Sequence, residues 1–113
     1  MAKNVAVVIQ EDPRKTHRPV EALRIALGLS SGSHRTTVVL LGEAVRLISE
    51  DRDEILNMET LETYLPSIKD LHIPFILPST TEQSSVSKEF NTRYQSDENI
   101  SSFLQSMDRT LVF

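Results

Sequence analysis

The 113-residue sequence contains no cysteine. For this chain alone, that absence excludes a disulfide, a thiolate nucleophile, a persulfide carrier, an iron–sulfur ligand and a zinc–thiolate site. Long apolar runs are also missing. None approaches the roughly 20 residues needed to span a bilayer. The first residues hold one Lys and then Asn4, without the apolar stretch of a signal peptide. Small secreted domains ordinarily carry disulfide staples, so a cytoplasmic protein is expected. Positive charge is scarce as well: 12 Lys plus Arg stand against 16 Asp plus Glu, a net charge of −4. Binding along a phosphate backbone needs a basic stripe, so neither a nucleic-acid nor a membrane partner is expected.

What is present is ordinary for a soluble fold, with 39% apolar and 25% charged residues. The length suits one domain over residues 1–113. Val5-Ala6-Val7-Val8-Ile9 is an unbroken, mostly β-branched run, the pattern of a parallel strand buried on both faces. Polar residues from Gln10 to Arg18 follow, and a helix is expected to start at Thr16 or Arg18 with Pro19 in its first turn. Val20, Leu23, Ala26 and Leu27 recur at helical spacing, Gly28 would allow close approach to a sheet, and Gly32 would stop the helix. Thr36–Leu41 predicts a second buried strand, so the two strands and their helix form a βαβ unit.

Beyond Gly42, a short helix is expected to use Val45 and Ile48, and Glu50–Glu54 an exposed connection. Asn57 is a candidate cap for a helix with Met58, Leu61, Leu65, Ile68 and Leu71 on one side. Pro66 is expected to kink or restart it. Phe75-Ile76-Leu77 reads as a third strand bracketed by Pro74 and Pro78, and the Ser- and Thr-rich stretch 79–87 as a loop. Thr92–Gln95 suggests a short strand. Ser96 is a good N-cap for a helix bearing Ile100, Phe103, Leu104 and Met107, and Thr110–Phe113 forms a last strand. The whole predicts a three-layer α/β/α sandwich around a mainly parallel sheet of four to five strands.

Ligands of such sheets sit outside the carboxyl ends of the strands, where strand order reverses. The candidate cleft residues are therefore Gln10, Glu11, Asp12, His17, Arg18, Gly42, Glu43, Ser79 and Thr80. No glycine occurs between Gln10 and Arg18, so neither a dinucleotide fingerprint nor a P-loop is present, and no cofactor is expected. Glu11 and Asp12 can serve as bases, although adjacent loop carboxylates are ordinarily just solvated. His17 at a helix start can move a proton or simply lie at the surface. His34 and His72 lack a ligand partner at i+3 or i+4, so no metal is expected. Ser79 has neither a G-x-S-x-G elbow nor an evident His–Asp pair. No catalytic residue is assigned.

Four segments carry a resemblance. Lys3–Ile9, the helix Val20–Gly28 and the run Thr37-Val38-Val39-Leu40-Leu41-Gly42-Glu43-Ala44-Val45 resemble the DsrE/DsrF-like family. The closing Met107-Asp108-Arg109-Thr110-Leu111-Val112-Phe113 is similar to that family's last strand. The resemblance implies a flavodoxin-like fold and a homo-oligomer, a trimer or hexamer before a dimer, with protein partners in sulfur metabolism. It also implies a persulfide-bearing cysteine just after the third main strand. Here that place holds Pro78 or Ser79, neither of which can carry a persulfide. Three readings follow: a non-catalytic oligomeric binding or assembly subunit, a small-ligand binding domain, or an acid–base enzyme using His17 with Glu11 or Asp12.

Overall fold

The computed structural model describes residues 2–113. The unbroken apolar run becomes β1 (Asn4–Ile9), with every residue from Val5 onward buried. The chain continues through α1 (Arg18–Ser31), β2 (Arg35–Leu40), a 3-10 helix Gly42–Ile48, α2 (Met58–Asp70), β3 (Phe75–Pro78), β4 (Thr92–Gln95), α3 (Asp97–Gln105) and β5 (Arg109–Val112). A single-turn 3-10 helix, Gln83–Ser85, lies between β3 and β4. All five strands are parallel, in the order β4-β3-β2-β1-β5.

That order explains the layers. Steps from β1 to β4 all move one way across the sheet, so right-handed crossovers put α1 and α2 on one face. The step from β4 to β5 reverses direction and puts α3 on the other. Along each strand, alternate side chains serve the two faces. Val7, Val38, Phe75 and Leu77 pack with Leu23, Leu61 and Ile68 from α1 and α2. Val8, Val39 and Ile76 pack beneath Ile100 of α3, with Phe103 and Leu104 partly buried beside them. The architecture is the three-layer α/β/α sandwich expected from the strand pattern, in the flavodoxin-like form that the resemblance implies.

Several local expectations need correction. Gly28 is exposed and its missing Cβ faces open space, so it makes no close approach to the sheet. Gly32 does end α1 as its C-cap, as expected, though with an ordinary negative φ; the left-handed residue is Ser33 at φ 73°. The 3-10 helix buries Ala44, Leu47 and Ile48, while Val45 is only half-buried. Asn57 stands at the N-cap of α2 in a left-handed conformation, and its side chain makes no capping bond. Pro66 does not restart α2, which runs through it; the residue faces solvent, where a missing N–H is best tolerated. Leu71 lies past the helix end at 47% exposure, and Met107 lies beyond α3.

The stretch 79–87 is more than a loop. Val86 and Ser87 are buried, Val86 bridges Ser49, and Ser87 N–H donates to the Ile48 carbonyl at 2.8 Å. Phe90 is buried too, its ring edge-on to Phe75 at 5.8 Å between centroids. Ser96 does cap α3, its hydroxyl accepting from Asn99 N–H at 3.2 Å.

Candidate functional site

Loops after β1, β2 and β3 turn toward the α1/α2 face, whereas the loop after β4 turns toward α3. Strand-end loops therefore diverge between β3 and β4, the position where open α/β sheets hold ligands. Ser79 and Gln95 flank that point, joined by Ser79 N–H donating to the Gln95 carbonyl at 2.8 Å. Thr81 N–H closes a turn onto the Pro78 carbonyl at 3.0 Å, leaving Ser79 and Thr80 exposed and Pro78 half-buried. The nearest side-chain hydrogen bond at this end of β4 runs from Asn99 Nδ2 to Gln95 Oε1 at 3.2 Å, and Ser79 takes no part in it.

The segment after β1 is held by charge. Asp12 accepts hydrogen bonds from the Arg14 backbone N–H (2.9 Å), Nε (3.1 Å) and Nη2 (2.8 Å). Its side chain is only 12% exposed. The Arg14 side-chain bonds, then its backbone N–H, lower the Asp12 pKa to about 2. Arg14 also reaches Glu43 at 3.5 Å, and Glu43 accepts from Arg46 Nε at 2.6 Å. Glu11 accepts from Arg18 Nε at 2.5 Å, and the Arg18 guanidinium lies 5.6 Å from the centre of the Phe113 ring. That cation–aromatic contact links the start of α1 to the end of β5. The backbone makes the same link: Gln10 N–H donates to the Phe113 carbonyl at 2.8 Å.

This arrangement limits the chemistry. A carboxylate held ionised by an arginine is a weak base, and an arginine gives up no proton near neutrality. His17 occupies the N-cap of α1, exposed, without a side-chain capping bond. The structure thus joins Asp12 to Glu43 through Arg14 and pairs Glu11 with Arg18. Neither His17 nor Ser79 enters this network. Sequence reasoning missed Arg14 and Arg46, which organise it. The three-residue spacing from Glu43 to Arg46 is a legible helical pair, but nothing local ties Arg14 to Glu43.

A cleft of about 380 Å³ opens beside these groups, lined by Gly42, Glu43, Arg46, Ser49, Asp51 and Ser85 among others. Gly42 carries φ +56°, which lets the chain turn sharply from β2 into the 3-10 helix. Among the described residues, no three His, Asp or Glu side chains cluster to hold a metal ion, and no helix is long and apolar enough to cross a membrane.

No family model matches the chain, and no curated protein matches it in sequence. Among solved structures it is similar to the ychN protein from E. coli, with a TM-score of 0.73 over 98% of this chain and 99% of that one. Only 15% of residues are identical, so the likeness establishes the fold and leaves the chemistry to be argued from this chain's own residues.

Proposed function

We propose that the chain is a non-catalytic DsrE/DsrF-like protein, acting in the cytoplasm as a homo-oligomeric binding or assembly subunit linked to sulfur relay and carrying no persulfide itself. The fold shared with the ychN protein and the four sequence segments support the family assignment. The lack of any thiol, with Pro78 and Ser79 at the end of β3, supports the non-catalytic role.

One observation carries the assembly reading. Every residue of the edge strand β5 is exposed, including Leu111 at 37% and Val112 at 53%. Phe113 spends both backbone groups on β1, donating to Val8 and accepting from Gln10. By strand alternation, the N–H and C=O groups of Thr110 and Val112 then point away from the sheet. Monomeric proteins protect such edges with charge, proline or a cover; β5 has one exposed charge, Arg109 at its start, and Thr110-Leu111-Val112 after it carries none of these. A second copy of this chain is the proposed occupant, in a trimer or hexamer before a dimer.

Sedimentation at micromolar concentration tests the reading. The unsubstituted chain should associate, and Val112→Lys, at an already exposed position, should shift it toward monomer without loss of helical signal. A monodisperse monomer, with no partner recovered by pull-down, overturns it. The small-ligand reading keeps one support, the cleft containing Gly42 and Glu43. Acid–base catalysis by Glu11 or Asp12 has little, because arginines hold both carboxylates.

A further inference from the structure

The opposite end of the sheet has a different character. Two contiguous clefts of about 320 and 170 Å³ lie at the amino ends of β2, β3 and β4, sharing Thr37, His72 and Pro74. The first is lined by His34, Arg35 and Thr36, the second by Arg93 and Phe103. No carboxylate lines either one, in a chain with 16 Asp plus Glu. Both clefts beside α2 and the 3-10 helix, by contrast, include acidic residues.

The cations here are unspent. Arg35 and Arg93 form no ion pair and donate no side-chain hydrogen bond among the described residues, unlike Arg14, Arg18, Arg24 and Arg46. Register puts both on the α3 face: Arg93 lies opposite Ile76, Ile76 opposite Val39, and Arg35 four residues before Val39. The carbonyl ends of α1 and α2, which attract cations, are already served by backbone donors. His34 N–H bonds Leu29, His72 N–H bonds Lys69, and Ile73 N–H bonds Ile68. His34 Nδ1 accepts from Lys3 N–H at 3.2 Å, so a neutral ring carries its hydrogen on Nε2 as a free donor.

Leu71 in the first cleft is exposed, and Phe103 and Ile76 give the second cleft an apolar wall.

We infer that this amino-end cleft binds a small organic oxyanion, a phosphate or carboxylate on an apolar body. The head group sits by Arg35, His34 and His72, and the body extends toward Phe103 and Arg93. The site is at the far end of the strands from the candidate residues of the carboxyl edge, and it does not depend on the assembly reading.

Titration of the 15N-labelled full chain with phenyl phosphate, benzoate and neutral benzyl alcohol tests the inference by amide chemical shifts. Saturable shifts at Thr36, Thr37, His72 and Asn91 are expected with phenyl phosphate, benzoate or both, and the stronger of the two identifies the head group. Arg35→Gln should weaken binding about tenfold or more, since it removes a charge-assisted donor. His34→Phe, which removes the free Nε2–H, should weaken it several-fold while leaving distant amides unmoved. Equal shifts with benzyl alcohol, shifts centred on Arg14 and Arg18, or unchanged affinity in both variants would overturn the proposal. Arg93→Gln, on an exposed side chain of another strand, supplies the same readout should Arg35→Gln fold poorly.

Discussion

Asp12 shows how one side chain decides what an edge of this molecule can do. Its carboxylate takes three hydrogen bonds from Arg14, and its pKa falls from 3.8 to about 2. A depressed folded-state pKa means stability that is present above the unfolded value and lost as pH falls through the folded one. The relevant window therefore runs from about pH 4 down to about pH 2. Asp12→Asn should be less stable than the parent at neutral pH, and the gap should close across that window. Urea unfolding of both proteins at several pH values measures this; a gap that stays constant to the bottom of the range would mean that Asp12 is not the titrating group. The pairing was hidden in the sequence. Glu11 and Asp12 read as solvated loop carboxylates because no local pattern says that the turn after β1 folds Arg14 onto Asp12 or that the start of α1 brings Arg18 to Glu11.

Elements were legible in proportion to their local pattern. β1 and β2 announce themselves because a parallel strand covered on both faces must be apolar throughout, and Ser96 announces α3 because its hydroxyl has one obvious task. Phe90 and Val86 were invisible: each is a lone apolar residue in a polar stretch, with no period to betray its burial against Phe75 or Ser49. The end of α2 was misjudged for another reason. Leu71 continues the apolar spacing, yet the helix stops before it, and His72 takes φ 54° with its N–H on Lys69 while Ile73 N–H bonds Ile68. Glycine is the usual occupant of that position, because a side chain in the left-handed region costs roughly 1–2 kcal/mol. His72→Gly should therefore stabilise the protein by about 0.5–1 kcal/mol, part of the gain being lost to the freer unfolded chain. Thermal unfolding reads that effect, and the same variant should bind phenyl phosphate more weakly. A helix end that forgoes the cheaper residue fits a side chain kept for the cleft it lines. A variant that is less stable than the parent would show that His72 is held by packing instead.

Across the whole molecule, the two ends of the sheet divide the charge between them. At the carboxyl edge, acidic and basic groups neutralise one another in ion pairs that are mostly exposed, with Arg18 and Glu11 at 57% and 42% and Arg46 and Glu43 at 39% and 54%. Exposed pairs of this kind contribute about 0–1 kcal/mol each, and screening changes that little. At the amino edge, Arg35 and Arg93 have no such partners among the described residues, so an anion there meets them unpaired in dilute salt. The two ends should consequently answer salt differently. Raising sodium chloride from about 0.05 M to about 0.5 M shortens the screening length from roughly 14 Å to roughly 4 Å. The unfolding free energy at neutral pH should move by less than about 1 kcal/mol over that range, while phenyl phosphate affinity falls several-fold. Parallel urea melts and shift titrations at the two ionic strengths separate the effects. If stability drops steeply and affinity holds, the surface pairs support the fold and the amino-end arginines do not attract the anion. If affinity alone falls, the net charge of −4 conceals a basic pole at one end of a parallel sheet whose other end is self-neutralised.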